Sequence, residues 1–144
     1  MSFYQSDPTI MNCTIYNNKA TTDGGAIYNA NGVPTLTNSI LWANTAGEIK
    51  NLFTTKKVAA TYCDINGGYI GTGNINANPQ FFYDETGYQP YPAYSLKLTS
   101  PCIDAGTNSG APAQDIIGQS RPLDSNNDGT ATVDMGVYEK VYTN

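Results

Sequence analysis

A repeated segment is the feature that most constrains how this 144-residue chain can fold. Residues 8–20 align with residues 34–46 at an offset of 26 positions, and a weaker third copy follows 24 residues later at 60–65. A period of 24 to 26 residues, with short β-prone runs and Asn/Gly corners, is the length of one solenoid coil. The identical pairs are Pro8/Pro34, Thr9/Thr35, Asn12/Asn38, Asn18/Asn44 and Ala20/Ala46, and the similar pairs are Ile10/Leu36, Ile15/Leu41 and Tyr16/Trp42.

The positions within the repeat predict a bend between two short strands. Side chains alternate along a strand, so Cys13 and Ile15 share one face, whereas Ile10 has the opposite parity. Ile10 can point inward only if the chain bends between residues 10 and 13, and Asn12 lies there. Asn tolerates left-handed backbone angles better than most residues. We therefore expect Asn12 and Asn38 to stack at a corner, with Tyr62 ending the stack in the third copy.

Two short motifs connect the repeat to a known family. Gly24-Gly25-Ala26-Ile27 follows Asp23, and Tyr16-Asn17-Asn18 lies upstream, with Tyr16 in the place of the motif's Phe. The pair resembles the Gly-Gly-Ala-Ile and Phe-x-x-Asn motifs of bacterial surface proteins such as the chlamydial polymorphic outer-membrane proteins. The resemblance implies an all-β fold, a right-handed single-stranded parallel β-helix (solenoid) with an irregular C-terminal cap. The stretch from Tyr94 to Glu139 is similar to the ending of those repeat proteins, which implies a C-terminal portion of a longer chain.

The composition of the chain changes near residue 70. Residues 1–70 read as β-helix coils, whereas residues 71–144 hold six of the eight prolines and read as irregular final coil(s) and cap within one continuous domain. A solenoid needs such an end because an uncovered coil exposes apolar core and unpaired strand edges. The expected apolar lid consists of Phe81, Phe82, Tyr83, Tyr88, Tyr91 and Tyr94.

Composition and charge restrict the possible functions. The net charge is -5, charged residues make up 13% of the chain, and histidine is absent. The lack of His excludes imidazole chemistry, and the acidic balance disfavours nucleic-acid binding. No run of 18 apolar residues predicts membrane insertion, and no basic start followed by an apolar run marks a signal peptide. An acidic chain rich in Asn and Thr is typical of an extracellular or bacterial cell-surface protein.

An acidic loop is the one candidate metal site. Residues 124–129 satisfy Asp-x-Asn-x-Asp-Gly, which is the opening half of a calcium loop, but position twelve is Met135 rather than Glu. The alternative is an Asx-rich turn that needs no metal. The single arginine, Arg121, is expected to pair with Asp124 or Asp128. The predicted calcium ligands are Asp124, Asn126, Asp128, the Thr130 carbonyl and Asp134.

The three cysteines are expected to be structural. Cys13 and Cys63 occupy one register two coils apart with Ser39 between them, so their Cα atoms should lie roughly 9–10 Å apart. A disulfide needs less than about 7 Å. We expect both thiols, and that of Cys102, to be buried side chains.

Catalysis and sugar binding are weaker alternatives. The candidate acids share no spacing that would place two on one face of neighbouring coils, so we expect no enzyme, with a polysaccharide lyase or hydrolase remnant as the alternative. Exposed aromatic side chains suit stacking on a polysaccharide. The scattered acids are Asp64, Asp84, Glu85, Asp104 and Asp115, and the candidate carbohydrate or partner contacts are Tyr28, Trp42 and Tyr69.

The sequence favours a non-catalytic structural or adhesive module. A chain that begins in mid-solenoid presents an uncovered first coil, and residues 9–18 carry no charge that would block its edge. We therefore expect self-association, or docking onto another β-helix chain, through this N-terminal face. The predicted edge residues are Thr9, Met11, Thr14 and Tyr16.

Overall fold

The computed structural model describes residues 1–82 and 92–141, and nine short strands follow one another along its first half. Each turn of the chain contributes three strands to three separate sheets, so the strands wind into coils as the repeat predicted. The strands are β1 (Ser2–Phe3), β2 (Thr9–Met11), β3 (Thr14–Tyr16), β4 (Ile27–Asn29), β5 (Thr35–Thr37), β6 (Ile40–Trp42), β7 (Ile49–Asn51), β8 (Ala59–Thr61) and β9 (Asp64–Ile65).

Equivalent strands of successive coils pair in parallel. The three sheets have the strand orders β1-β4-β7, β2-β5-β8 and β3-β6-β9. Ile10 pairs with Leu36 and Ile15 with Leu41, which confirms the register predicted from the 26-residue offset. This arrangement is a parallel β-helix, and the predicted fold class is confirmed.

A left-handed residue turns the chain between the second and third strand of each coil. Asn12 and Asn38 have φ angles of 47° and 50°, and the Asn38 side-chain amide donates to Oδ1 of Asn12 over 3.4 Å. Tyr62 takes the third corner with φ 52° and ends the amide stack there. The predicted bend and stacked pair are confirmed, because Asn accepts positive φ at low cost and its amide bonds the next coil.

The interior of the coils is apolar. One buried cluster fills the space between the three sheets, and the half-buried Phe3, Ile10 and Ile15 pack on it at the first coil. Its fully or almost fully buried members are Ala26, Ile27, Leu36, Leu41, Val58, Ala60, Cys63 and Ile65.

Residues 66–77 form a short end cap over the last coil. Asn74 Oδ1 accepts the backbone N–H of Cys63, and the N–H of Ile75 donates to the Cys63 carbonyl. A Cβ atom on Gly71 would lie 1.9 Å from the Ala60 carbonyl oxygen, so only glycine lets the chain cross so close to β8. The cap covers β8 and β9 and leaves β7 as the terminal strand of its sheet.

The segment 92–141 lies along the side of the coils instead of over their end, where we expected a lid. Its apolar residues Leu96, Cys102 and Met135 form a second buried cluster with Ile40, whose side chain points out of the coil. The reason is visible in Ile40-Leu41-Trp42, which is apolar on both faces and therefore needs cover on its outer face too.

Only part of the predicted apolar lid lies within the described residues. Tyr94 and Phe81 pack their rings 5.3 Å from that of Tyr16 on the flank of the first coil. Tyr83, Tyr88 and Tyr91 lie outside the described residues. The boundary near residue 70 stays a prediction.

Candidate functional site

The first coil ends in an open slice of the core. β1, β2 and β3 are each the terminal strand of a sheet. Ile10 and Ile15 are only half-buried, whereas Leu36 and Leu41, their partners in the second coil, are completely buried. Within residues 1–82 and 92–141, no further strand covers Ile10 and Ile15 on this side.

The backbone groups of β2 alternate between the second coil and the open face. The N–H of Thr35 donates to the Pro8 carbonyl, and the N–H of Asn12 donates to the Thr37 carbonyl. Residues 8, 10 and 12 thus use their backbone groups toward the second coil, and those of Thr9 and Met11 point the opposite way. Within the described residues, no strand pairs with these outward groups, although the Met11 carbonyl accepts the Cys13 thiol over 3.2 Å.

A wide cleft adjoins this face. Its volume is about 710 Å³, and it lies where the exposed core meets aromatic residues of the segment 92–141. The residues that line it include Met1, Ile15, Tyr16, Ala26, Tyr94 and Tyr138.

Most side chains of the predicted edge face the flank, not the open end. Thr14 Oγ1 accepts the N–H of Val137 over 3.2 Å, and Tyr16 packs on Phe81. Met11 reaches Gly110, where an added Cβ would lie 3.5 Å from its methyl carbon. Thr9 is exposed, and its hydroxyl bonds that of Thr35. The free part of this edge is therefore backbone.

The glycine motif fits against the turn of the next coil. Gly24 has φ 66°, and the N–H groups of Gly24 and Gly25 donate to the Ala46 and Gly47 carbonyls over 3.0 and 2.7 Å. A Cβ on Gly25 would lie 2.1 Å from the Thr45 carbonyl oxygen. The second glycine is thus required for close approach of two backbones.

The Phe-x-x-Asn motif begins at Ile15, one residue before the expected position Tyr16. Asn44 Oδ1 accepts both the backbone and the side-chain N–H of Asn18 over 2.9 Å, and its own amide donates to the Ile15 carbonyl. Counting Phe-x-x-Asn back from Asn18 reaches Ile15, which faces inward beside Leu41. The assignment of the motif's Phe to Tyr16 was therefore wrong, since Tyr16 points outward.

Glu48 completes this motif and was missed by the sequence analysis. Its carboxylate is buried and accepts the backbone and side-chain N–H of Asn44. Burial raises the pKa of Glu48, and the bonds from Asn44 oppose that shift. The one sequence signal for Glu48 was its partner Asn44, which recurs in the repeat as the equivalent of Asn18.

The acidic loop binds its own backbone. Asp124 accepts the N–H groups of Asp128 and Gly129, while Asn126 and Asp128 accept those of Asp128 and Thr130, all at 2.9–3.0 Å. These are the bonds of an Asx-rich turn. In residues 1–82 and 92–141, no group of three or more His, Cys, Asp or Glu side chains is arranged to hold a metal. Calcium binding here stays a prediction.

Asp134, the fifth predicted ligand, lies apart in a buried cluster. Its carboxylate accepts the N–H groups of Asp104 and Lys140 over 2.8 and 2.6 Å. Burial, then the nearby charges of Glu139 and Asp104, raise the pKa of Asp134 to about 8 despite those bonds. The structure brings Asp124, Asn126 and Asp128 together without it, and it places the Thr130 N–H against Asp128.

Arg121 pairs with Glu139, and the expected pairing with Asp124 or Asp128 was wrong. Its Nε lies 3.0 Å from Glu139 Oε2, and both side chains are almost completely buried. A guanidinium that enters the interior needs a buried carboxylate partner, which the exposed loop cannot supply.

All three cysteines are free thiols, and Cys63 and Cys102 are buried as predicted, whereas Cys13 is only half-buried because it lies in the first coil. The Cys13 N–H donates to Ser39 Oγ, and the Ser39 N–H lies 3.5 Å from Cys63 Sγ, so the register is confirmed. Burial raises the pKa of Cys63 to about 12. Cys102 donates to the buried Asp64 over 3.2 Å, and burial raises the pKa of that carboxyl to about 6.

The candidate acids and aromatics are dispersed. Asp115 is buried and accepts backbone N–H groups, and Asp104 binds the N–H of Asn126. Asp84 and Glu85 lie outside the described residues. Tyr28 lies in β4, Trp42 packs on the flank cluster, and the hydroxyl of Tyr69 donates to the Val58 carbonyl. The roles of these three aromatics in carbohydrate or partner contact stay predictions.

Comparison with known proteins supports the family resemblance. No curated protein and no solved structure matches the chain significantly. No helix in the described part of the chain is long and apolar enough to cross a membrane. Residues 12–30 match the family model of the Chlamydia polymorphic membrane protein (Chlamydia_PMP) repeat, and this range holds both motifs. Residues 12–30 are therefore similar to the repeat of this family, as the glycine and asparagine motifs predicted.

Proposed function

We propose that this chain is a non-catalytic structural or adhesive module of the bacterial cell surface that docks through its open N-terminal β-helix face. The partner is a second copy or a coil of another β-helix chain. The family of the repeat supports a surface role. A calcium ion in the acidic loop would stiffen the flank without taking part in the docking.

The observation that carries this proposal is the uncovered slice of core at the first coil. Ile10 and Ile15 would gain the burial that Leu36 and Leu41 already have if one more coil covered them. Burial of apolar area contributes about 25 cal/mol per Å², and the edges of three strands add backbone hydrogen bonds.

The experiment removes one outward backbone donor. Thr9→Pro deletes an N–H that points away from the second coil, so the internal ladder keeps its bonds. Thr9→Val, which keeps the N–H and loses only the hydroxyl, is the control.

We expect concentration-dependent association of the wild type and of Thr9→Val in sedimentation velocity, and weaker association of Thr9→Pro. A wild type that stays monomeric at high concentration, alone and with other β-helix proteins, contradicts the proposal. Equal association of the proline variant would show that another surface is responsible.

A further inference from the structure

We propose that the free edge of β7, at the opposite end of the coils, binds an extended protein segment of alternating apolar and acidic residues. The segment would join the β1-β4-β7 sheet as a fourth strand. This site is separate from the N-terminal face.

The end cap reaches this edge only through side chains, because the hydroxyl of its Tyr69 accepts the Asn51 side-chain amide while no backbone bond of the cap to β7 is present in the described residues. Within the described residues, β7 is the terminal strand of its sheet, whereas residues 66–77 cover β8 and β9. The N–H of Ile27 donates to the Glu48 carbonyl, and that of Leu52 donates to the Asn29 carbonyl. Residues 48, 50 and 52 therefore face β4, and the backbone groups of Ile49 and Asn51 point outward.

A groove accompanies this edge. Its volume is about 700 Å³, and its walls include Ile49, Phe53, Val58 and Tyr69. Phe53 is 48% exposed and Ile70 is 96% exposed, so the groove presents apolar surface to water. These side chains would lose water contact under an added strand.

The charge around the groove selects acidic partners. Lys50, Lys56 and Lys57 lie within eight positions of a chain whose net charge is -5. Lys50 pairs with Asp23 over 3.2 Å at an exposed site. Lys57 lines the groove, and none of the carboxylates in residues 1–82 and 92–141 forms an ion pair with it.

The register of the sheet specifies the pattern of the bound segment. Ile27 pairs with Ile49 and Tyr28 with Lys50, so inward and outward side chains alternate along the edge. A residue opposite Lys50 would point outward beside its ammonium group, and its neighbours would point toward Tyr69 and Val58. The fitting segment therefore alternates acidic and apolar residues.

A second copy of the chain is a poorer occupant. Stacking the first coil of another copy on this end would require space that residues 66–77 already fill above β8 and β9. An acidic polysaccharide could pair with the lysines but would leave the backbone donors and acceptors of Ile49 and Asn51 without strand partners.

The test measures fluorescence anisotropy of labelled peptides with the whole chain. The probes are a proline-flanked Val-Glu repeat, the matching Val-Lys repeat, and labelled polygalacturonate. Phe53→Ser and Lys57→Glu alter the groove. Leu98→Ser and Lys97→Glu are matched controls, since Leu98 is 47% exposed and both residues lie outside the groove.

We expect the Val-Glu peptide alone to bind, about tenfold more weakly to Phe53→Ser and about fivefold more weakly to Lys57→Glu, with both controls unchanged. Hydrogen exchange should show new protection of the Ile49 and Asn51 amides on binding. Equal binding of both peptides, binding of polygalacturonate alone, or protection that misses β7 would overturn the proposal.

Discussion

Replacing Asn38 by Ala should loosen the flanking segment from the coils. Asn38 bridges the two parts, because its amide donates to the Thr107 carbonyl over 2.9 Å and its Oδ1 accepts the Thr107 N–H over 2.8 Å. Each such bond contributes about 1 kcal/mol net, and Thr107 would keep two unpaired groups at a half-buried site. Alanine at a positive φ adds about 1 kcal/mol.

These contributions sum to a loss of about 3–4 kcal/mol in the free energy of unfolding. Asn17→Ala is the matched control, since Asn17 has φ 54° and an exposed side chain with no bond to the flank. We expect the control to lose only about 1 kcal/mol, the cost of the backbone angle.

The assay is equilibrium unfolding in guanidinium chloride, followed by fluorescence of Trp42, the single tryptophan, which packs against the flank cluster. The midpoint should fall further for Asn38→Ala than for Asn17→Ala. If the two variants lose equal stability, the bridge to Thr107 does not hold the segment and our reasoning about the corner is refuted.

Three further measurements test the motif, the acidic loop and the buried carboxyl. Gly25→Ala should lower the melting temperature sharply, because its Cβ would lie 2.1 Å from a backbone oxygen. Gly47→Ala has open space around its Cβ and should lose only the stability that its positive φ costs. Equal losses in the two variants would show that the clash does not determine the effect. Calcium should raise the melting temperature of the wild type but not of Asp124→Asn/Asp128→Asn, and an identical melting curve with calcium and with chelator removes the metal hypothesis. Asp64 has its pKa raised from 3.8 to about 6, so its contribution to stability is complete below pH 3.8 and is lost as pH rises to about 6. Asp64→Asn should therefore remove about 3 kcal/mol of pH dependence over that window in denaturant titrations, and an unchanged pH profile would show that Asp64 does not titrate there.

The coils could be predicted from the sequence because equivalent positions in successive copies of the repeat pair with each other. The pairs Ile10/Leu36 and Asn12/Asn38 predict both the strand register and the corner that the structure has. Because side chains alternate along a strand, the same positions also predict which side chains face inward and which face outward. Local rules sufficed where neighbouring coils repeat the same contacts.

The second half could not be predicted in the same way because it does not repeat. The pairing of Arg121 with Glu139 depends on how residues 92–141 fold along the flank, and no spacing encodes that path. The three apolar residues 40–42 were a signal for a covered outer face, but they did not say which segment covers it. Asp134 was likewise assigned to the loop by distance along the chain, although its partners are Asp104 and Lys140.

The flanking segment has a consequence for how the molecule responds to force. It bonds the first coil through Asn12 and Thr14, the second through Asn38 and the third through Asp64. A bare solenoid can peel away coil by coil, since each unit contacts only its neighbours. Here the flanking segment bonds all three coils. A pulling force on either terminus is therefore shared among coils that are not adjacent in sequence. The unit should therefore rupture in a single step when it is pulled in an optical trap.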